Sequence, residues 1–327
     1  YSNFKNGYDE WSLQNIPFTT YSNQPGRDEQ KSLGAALRIV SDKPTVPSIS
    51  SITSLLNTDS LYSYDSDWGG IQDDYTNPIL DAESGYEGFL AIDRDRESFS
   101  QELRFDSAKS LNSETTLNRW TIGAYFNQLT EGSIIDYSDN FETDNQKARI
   151  DSEYETKTYS LYSKFSSSLS TKTHLELGLR REIHAVDFES TTVDNAEYGT
   201  EEAPFPYLEE GSLIKTKDYL SGAKLSLFNT YSKENTLFAS VTKGYKSGGA
   251  NSSSFRESGQ PLHYDTESLM NYELGLSHIS SDQRFRSKMT IFYLDRKDAQ
   301  VRDSDGSGGF FRYFTSNQGD AKHYGLE

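Results

Sequence analysis

The sequence has no cysteine and only two methionines among its 327 residues. Without cysteine there is no disulfide scaffold and no thiolate metal site. Long hydrophobic runs are also missing. Mean hydropathy is -0.75, and no stretch approaches the ~18 apolar residues that a membrane helix requires. That excludes helical spans but not strand spans, which need only ~9–11 residues with every second one apolar. Positive charge is in the minority, with 32 basic against 50 acidic residues and a formal net charge of -18. A nucleic-acid partner is thereby excluded, because displacing counterions needs a basic footprint.

Catalytic signatures are lacking as well. Neither H-E-x-x-H nor G-x-S-x-G occurs, and the five histidines, His174, His184, His263, His278 and His323, are scattered. Asp303-Ser304-Asp305-Gly306 opens like a calcium loop, but the third carboxylate and the distant Glu are not in place. Gly244 to Gly249 does not follow the G-x-x-x-x-G-K-[ST] order of a phosphate loop and reads as a glycine-rich strand exit. No catalytic, cofactor-binding or metal-binding residue is assigned, no cofactor is expected, and the chain is read as a non-enzyme.

Aromatic residues are abundant: 22 Tyr and 18 Phe. Tyrosine suits a membrane–water boundary, with its ring in the apolar layer and its hydroxyl in water. Alternation with a period of two runs through the chain. Leu175, Leu177 and Leu179 share one face while Glu176, Gly178 and Arg180 share the other. Tyr272, Leu274 and Leu276 oppose Glu273 and Gly275. Trp120, Ile122, Ala124 and Phe126 oppose Arg119, Thr121, Gly123, Tyr125 and Asn127; Leu103 and Phe105 oppose Glu102 and Arg104.

Connections alternate in length. Short polar links fall near 41–44, 107–114, 168–172, 232–235 and 280–284. Long Gly-, Asp- and Tyr-rich links fall near 65–96, 130–155, 190–216, 246–266 and 303–316. Tight turns on one side and long loops on the other are the mark of an outer-membrane barrel, with the long loops outside the cell. The spacing predicts roughly a dozen strands, at 32–41, 47–64, 97–107, 117–128, 157–169, 172–189, 218–230, 235–245, 267–279 and 285–301, with fragments at either end. A soluble β-sandwich or β-helix also alternates, but there the links tend to be short on both sides. The expected fold is all-β, a single domain over 1–327: part of an antiparallel transmembrane β-barrel.

Several segments, in order, resemble the barrel of the TonB-dependent outer-membrane receptors. Phe99-Ser100-Gln101-Glu102-Leu103-Arg104-Phe105 resembles the strand with the family's Gln-Glu-Leu-Arg core, and Trp120 to Phe126 the strand that follows it. Phe238 to Asn251, with Lys243-Gly244-Tyr245-Lys246-Ser247-Gly248-Gly249, is similar to "skGYksGGfN". Glu267 with Asn271-Tyr272-Glu273-Leu274-Gly275 is similar to "E…nYElG". Ile291 to Val301, then Asn317 to Ala321 and Gly325-Leu326-Glu327, continue in the family's order. No stretch resembles a plug domain, a TonB box or a terminal aromatic strand. The chain is therefore expected to be an internal fragment, lacking plug and C-terminal strands, of a ~22-stranded plugged barrel.

The resemblance implies a receptor in the outer membrane of Gram-negative bacteria. It would bind a scarce nutrient (an iron–siderophore, haem, cobalamin or a glycan) and import it with TonB-coupled energy. A passive porin is the alternative reading, and an outer-membrane barrel hydrolase a third. Expected partners are TonB, reached through a segment not in this chain, outer-membrane lipid and a small nutrient ligand, with the barrel monomeric. Glu102, Arg104, Glu176, Arg180 and Glu273 are expected to face the lumen and contact the plug. Tyr137, Phe141, Tyr207, Phe255 and Tyr264, together with Tyr198 and Phe205, are candidate ligand contacts in loops.

Overall fold

The computed structural model describes residues 1–8, 17–18, 22, 24–41, 46–66, 87–108, 119–141, 144–194, 199–200, 203–204, 212–251, 261–305 and 312–327. In chain order the strands are β1 (Ser2–Tyr8), β2 (Gly26–Ser41), β3 (Ser48–Asp65), β4 (Glu87–Asp106), β5 (Arg119–Phe141), β6 (Asp144–Ser168), β7 (Thr173–Asp194), β8 (Gly199–Thr200), β9 (Ala203–Pro204), β10 (Ser212–Thr230), β11 (Asn235–Lys246), β12 (Gly249–Ala250), β13 (His263–Tyr264), β14 (Glu267–Ile279), β15 (Arg286–Lys297), β16 (Gln300–Asp305), β17 (Arg312–Asn317) and β18 (Ala321–Leu326). Twelve of them form one antiparallel sheet in the order β1-β2-β3-β4-β5-β6-β7-β10-β11-β14-β15-β18. The remaining six pair as the small hairpins β8-β9, β12-β13 and β16-β17.

The order of these twelve strands in the sheet follows their order in the chain, so the sheet is an up-and-down meander built from hairpins. On one side the β6–β7, β10–β11 and β14–β15 turns are tight and closed by serine. At the β6–β7 turn the Leu169 N–H donates to the Thr173 carbonyl at 2.9 Å, and Ser170 Oγ accepts from the Thr173 N–H at 3.0 Å. At the β14–β15 turn Ser280 Oγ accepts from the Phe285 N–H at 3.0 Å, and Gln283 takes a φ of 56°. Short hydroxyl side chains supply hydrogen bonds that the turning backbone leaves open.

The two faces of the sheet separate cleanly, because residues paired across strands point the same way. One register row runs Trp120, Phe165, Leu177, Leu225, Val241, Tyr272, Tyr293, Tyr324. A second runs Leu175, Leu227, Ala239, Leu274, Ile291, Leu326. This apolar face is open to its surroundings: Leu161 is 67% exposed and Leu274 51%. A face of this kind requires a lipid solvent.

Two inward glycines permit close approach of an aromatic ring. Gly123 pairs with Tyr162, and a Cβ at Gly123 would stand 2.3 Å from the Tyr162 ring. Gly275 pairs with Phe238, and a Cβ there would meet that ring at 2.4 Å. The glycine leaves the inner surface low enough for the ring to lie across it.

The turn-side strand ends fall within about two residues of expectation, and the far ends of β2, β4, β5, β6, β7 and β10 overrun it by five residues or more. The expected connections 65–96 and 130–155 require correction. Residues 87–96 belong to β4, and residues 130–141 and 144–155 extend β5 and β6 into one continuous ladder. The connection 190–216 narrows likewise, since β7 runs to Asp194 and β10 begins at Ser212. The stretch 246–266 remains a connection but carries β12 and β13, and 303–316 is largely the β16–β17 hairpin. The expected strand 285–301 is broken at Asp298, whose φ is 53°, and resumes as β16.

The physical reason is length. β5 has 23 residues, or ~75 Å at ~3.3 Å each, and when tilted ~40° it still rises ~55 Å. The apolar band of such a barrel is only ~25 Å tall. More than half of the β5–β6 hairpin therefore stands clear of lipid, where its outward face meets water. Polar residues there look like loop sequence but keep strand pairing.

Candidate functional site

Within the apolar band, the inner face carries several separate clusters of hydrogen-bonded polar groups. Glu102 accepts from the Tyr162 hydroxyl. Arg104 Nε lies 3.0 Å from Asp106, and Thr121 donates to the same carboxylate at 2.7 Å. Glu176 pairs with Lys164 at 3.1 Å. Arg180 binds Glu182, donates to Ser160 at 2.8 Å and donates to the Tyr245 hydroxyl at 3.1 Å. Glu273 accepts from Ser240 at 3.1 Å and from Asn271 at 2.8 Å.

Glu102, Arg104, Glu176, Arg180 and Glu273 thus share one face, opposite Leu103, Phe105, Leu175, Leu177, Leu179, Tyr272 and Leu274. Each is tied to its own strand neighbours rather than to the other four. The sequence reading missed Glu182 and Tyr162, which complete these pairs. Glu182 is in phase with Glu176 and Arg180, and that signal was available.

Above the band the inner face changes character. Ile135 and Tyr137 on β5, Ile150 on β6, Val186 and Phe188 on β7 and Ile214 on β10 are all at most 7% exposed. Ile92, Ile135 and Ile150 are register partners, as are Tyr154, Phe188 and Ile214. The ladders β4–β5, β5–β6, β6–β7 and β7–β10 run without a bulge, so inward and outward never exchange along a strand. What exchanges is the sequence. On β7 the apolar residues are Leu175, Leu177, Leu179 and Ile183, then Val186 and Phe188 in the opposite phase. Below, lipid lies outside and water inside. Above, water lies outside, and the hairpins bury their apolar side chains against one another.

The β12–β13 hairpin folds onto this inward apolar surface. Ala250 joins Val186, Phe188 and Ile214 in one buried cluster, with Tyr154 and Leu262 packed against it. Burial, aided by the nearby Tyr264 hydroxyl, pushes the Tyr154 hydroxyl up to about 12, and burial raises Tyr264 as well. Tyr264 pairs with Gly249, where a Cβ would stand 2.3 Å from the Tyr264 hydroxyl. A second aromatic group, Tyr8, Tyr62 and Tyr64, has ring centroids 4.9–6.3 Å apart. Between rim and lower clusters, Arg96 Nε binds Glu131 at 2.7 Å, and Arg94 Nε lies 3.8 Å from that same carboxylate.

Hydrogen bonds hold the rim in place. Asp218 accepts from the Gly248 N–H at 2.9 Å. Asn251 Nδ2 donates to the Pro261 and Thr315 carbonyls at 2.8 and 2.9 Å. Gln300 Nε2 donates to the Ser247 and Asp265 carbonyls at 2.8 and 2.9 Å. Beneath it, Glu267, 4% exposed, receives a two-pronged Arg296 fork at 2.6 and 2.7 Å and the Gln300 N–H at 2.8 Å. The Arg296 fork, more than any other contact, holds the Glu267 carboxyl below its ordinary range.

A depressed carboxylate stabilises the fold above its unfolded value and loses that contribution as pH falls through the folded value. The rim should therefore loosen below about pH 4.5. Glu267→Gln should weaken it by about 1.5–3 kcal/mol at neutral pH, the worth of a hydrogen bond to a charged group. It should also flatten the acid response. Hydrogen exchange at 247–251 and 298–300, measured from pH 7 to 3.5, reads both effects. Equal protection in the two proteins across that range would remove Glu267 as the latch.

Of the expected ligand contacts, Tyr264 lies on β13, half-buried beside the rim cluster. Tyr137 is corrected: it is a buried strand residue on the inner face, not a loop residue, because β5 continues through it. Phe141 ends β5, and its side chain lies outside the described residues, as do Tyr198, Phe205, Tyr207 and Phe255 entirely.

An antiparallel sheet with an exposed apolar wall, a charged inner wall and tall hairpins on one side defines an outer-membrane β-barrel. The chain belongs to the TonB dependent receptor-like, beta-barrel family, whose sequence profile matches residues 1–327. Among solved structures it is similar to the ferric yersiniabactin uptake receptor FyuA from Yersinia pestis, with TM-score 0.66 and 16% identity over 92% of this chain and 39% of that one. It is also similar to the siderophore receptor PiuA from Acinetobacter baumannii, with TM-score 0.65 and 11% identity over 92% and 44%. The closed form of the ferric-catecholate import receptor Fiu from E. coli K12 gives TM-score 0.60 and 12% identity over 94% and 45%. At these identities the likeness is one of fold, and the chain spans less than half the length of each of these receptors. Comparison with curated protein sequences gave no match.

Proposed function

We propose that the whole protein is a receptor that captures a scarce nutrient at the rim and imports it with energy delivered through TonB. The nutrient is an iron–siderophore, haem, cobalamin or a glycan. In this reading the tall hairpins face the cell exterior, and Glu102, Arg104, Glu176, Arg180 and Glu273 line the lumen against a plug carried elsewhere in the protein. The barrel acts as a monomer. The observation that carries the reading is the phase exchange above the band. It leaves the hairpins above the band packed through buried Ile, Val, Phe and Tyr side chains, over a charged lumen, so that the rim is already formed. A largely pre-formed surface is what small-molecule capture requires.

No bond is made or broken in such a cycle, and the family and the structural neighbours are transport receptors. A barrel hydrolase would need a nucleophile–base–acid constellation at the rim, whereas the polar side chains described there, Asp218, Asn251, Glu267, Arg296 and Gln300, are engaged in the rim's own hydrogen bonds. A passive porin is the competing reading, and permeability separates the two. Full-length protein in phosphatidylcholine liposomes should leave the swelling rate in small sugars at the level of protein-free vesicles. Swelling that rises with the amount of protein and falls with sugar size would establish a porin.

A further inference from the structure

We infer that the outer wall carries a binding site for a phosphate-bearing lipid headgroup, formed by Arg181 on β7 with Lys217 and Tyr219 on β10. Both strands place these side chains on the lipid face. Arg181 pairs with Leu161 and Ser221, in phase with Leu175, Leu177, Leu179 and Ile183. It is the one charge in that stripe from Leu175 to Ile183. Tyr219 pairs with Ile183, and Lys217 with Ala185, so all three residues look outward. Tyr219 is 59% exposed.

The height is right for a headgroup. With tilted strands each residue climbs ~2.5 Å, so Arg181 stands ~20 Å above the start of β7 at Thr173, and the level of Lys217 lies ~30 Å above it. The apolar band is ~25 Å tall. The two cations therefore bracket its upper edge, with the tyrosine ring between, the position where long basic side chains reach out of the apolar layer.

Arg181 Cζ lies 6.0 Å and Lys217 Nζ 5.6 Å from the centroid of the same Tyr219 ring. Arg181 also donates to Ser221 Oγ. Among the described residues neither cation has a carboxylate partner, although carboxylates are nearby. Asp187 is taken by Lys215 at 2.6 Å, and Glu155 by Lys157 at 2.7 Å. Lys243, exposed on the same face beside Ala223, adds a third positive charge. Two like charges sharing one ring repel each other, and an anion between them removes that repulsion. A phosphate group matches the pair chemically, since it accepts a guanidinium fork and an ammonium together.

The occupant is a lipid rather than a free ion, because the apolar surface directly below, Leu179, Leu225 and Leu177, accommodates acyl chains in line with the headgroup. The proposal is independent of the nutrient carried.

The test uses detergent-purified full-length protein and diphosphorylated lipid A as probe, with bound lipid counted by native mass spectrometry. Assembly of each variant is checked by the heat-dependent gel mobility of folded barrels. The wild type should retain lipid A. The double variant Arg181→Gln, Lys217→Gln should bind it roughly thirty-fold more weakly, since each surface cation near an anionic lipid is worth about 1 kcal/mol. The ion-paired control Lys157→Gln, Lys215→Gln should change affinity less than about threefold. Lipid A stripped of its phosphates should not be retained, and millimolar inorganic phosphate should not displace the intact lipid. The proposal is overturned if the double variant binds within threefold of wild type or if its loss is matched by the control. Retention of the phosphate-free lipid equal to that of lipid A also overturns it, as does displacement by free phosphate. Should the double variant fail to assemble, the phosphate-free lipid measured on wild type decides alone.

Discussion

Leu177→Arg should cost about 2–4 kcal/mol of barrel stability and leave little assembled protein in the outer membrane, whereas Glu176→Gln should assemble normally. The two residues are adjacent, yet they face different solvents. Leu177 lies between Phe165 and Leu225, ~10 Å above the start of β7 and so near the middle of the lipid band. An arginine there has no carboxylate within the row and too far to reach to water. Glu176 lies between Ser166 and Ser226 and faces Lys164 from the same side. Glutamine keeps its size and one accepting oxygen, and an exposed pair of this kind is worth little. The fraction of heat-modifiable barrel in outer-membrane preparations measures both. Damage by Glu176→Gln with tolerance of Leu177→Arg would mean that the sheet's inner and outer faces are reversed, a one-residue shift of the whole register.

The second large effect is on transport. With the protein at full length, dissipating the proton-motive force should reduce nutrient uptake to background and leave surface binding unchanged. In the proposed cycle, capture at the rim would need no input of work: the cluster around Val186, Phe188 and Ile214 and the latch of Glu267, Arg296 and Gln300 are already in place. Passage through the lumen is different. A plugged barrel has no open path, and the proposed plug would bear on a wall of charged groups, so moving it means breaking the hydrogen bonds between plug and wall. Growth under iron, cobalamin or glycan limitation identifies the nutrient, and the labelled form of whichever restores growth is then followed in binding and uptake. Uptake that persists without the force, in proportion to external concentration, would contradict energy coupling and return the porin reading.

The sequence by itself determined the wall of this barrel. Alternation of Leu175, Leu177 and Leu179 with Glu176, Gly178 and Arg180 could be satisfied only by a sheet with one apolar and one polar face. The tight serine-closed turns then placed successive strands side by side. Period-two patterning is a local property, and in an up-and-down meander the partner of each strand is its sequence neighbour. The family resemblance rested on the same segments, because they are the ones that lipid constrains.

The upper half of the molecule was decided only by tertiary structure. Residues 130–155 contain Glu131, Asp136, Asp139, Asp144 and Asp151, and their composition reads as loop. Their pairing comes from a ladder already begun at Trp120 and Phe165, which continues because each added pair extends an existing edge. Nor could composition place Tyr137 inside the rim or bring Ala250 against Phe188, 62 positions apart in the chain. Both depend on the exchange of solvents at the membrane surface: once the outward face meets water, the same period-two strand buries its other side.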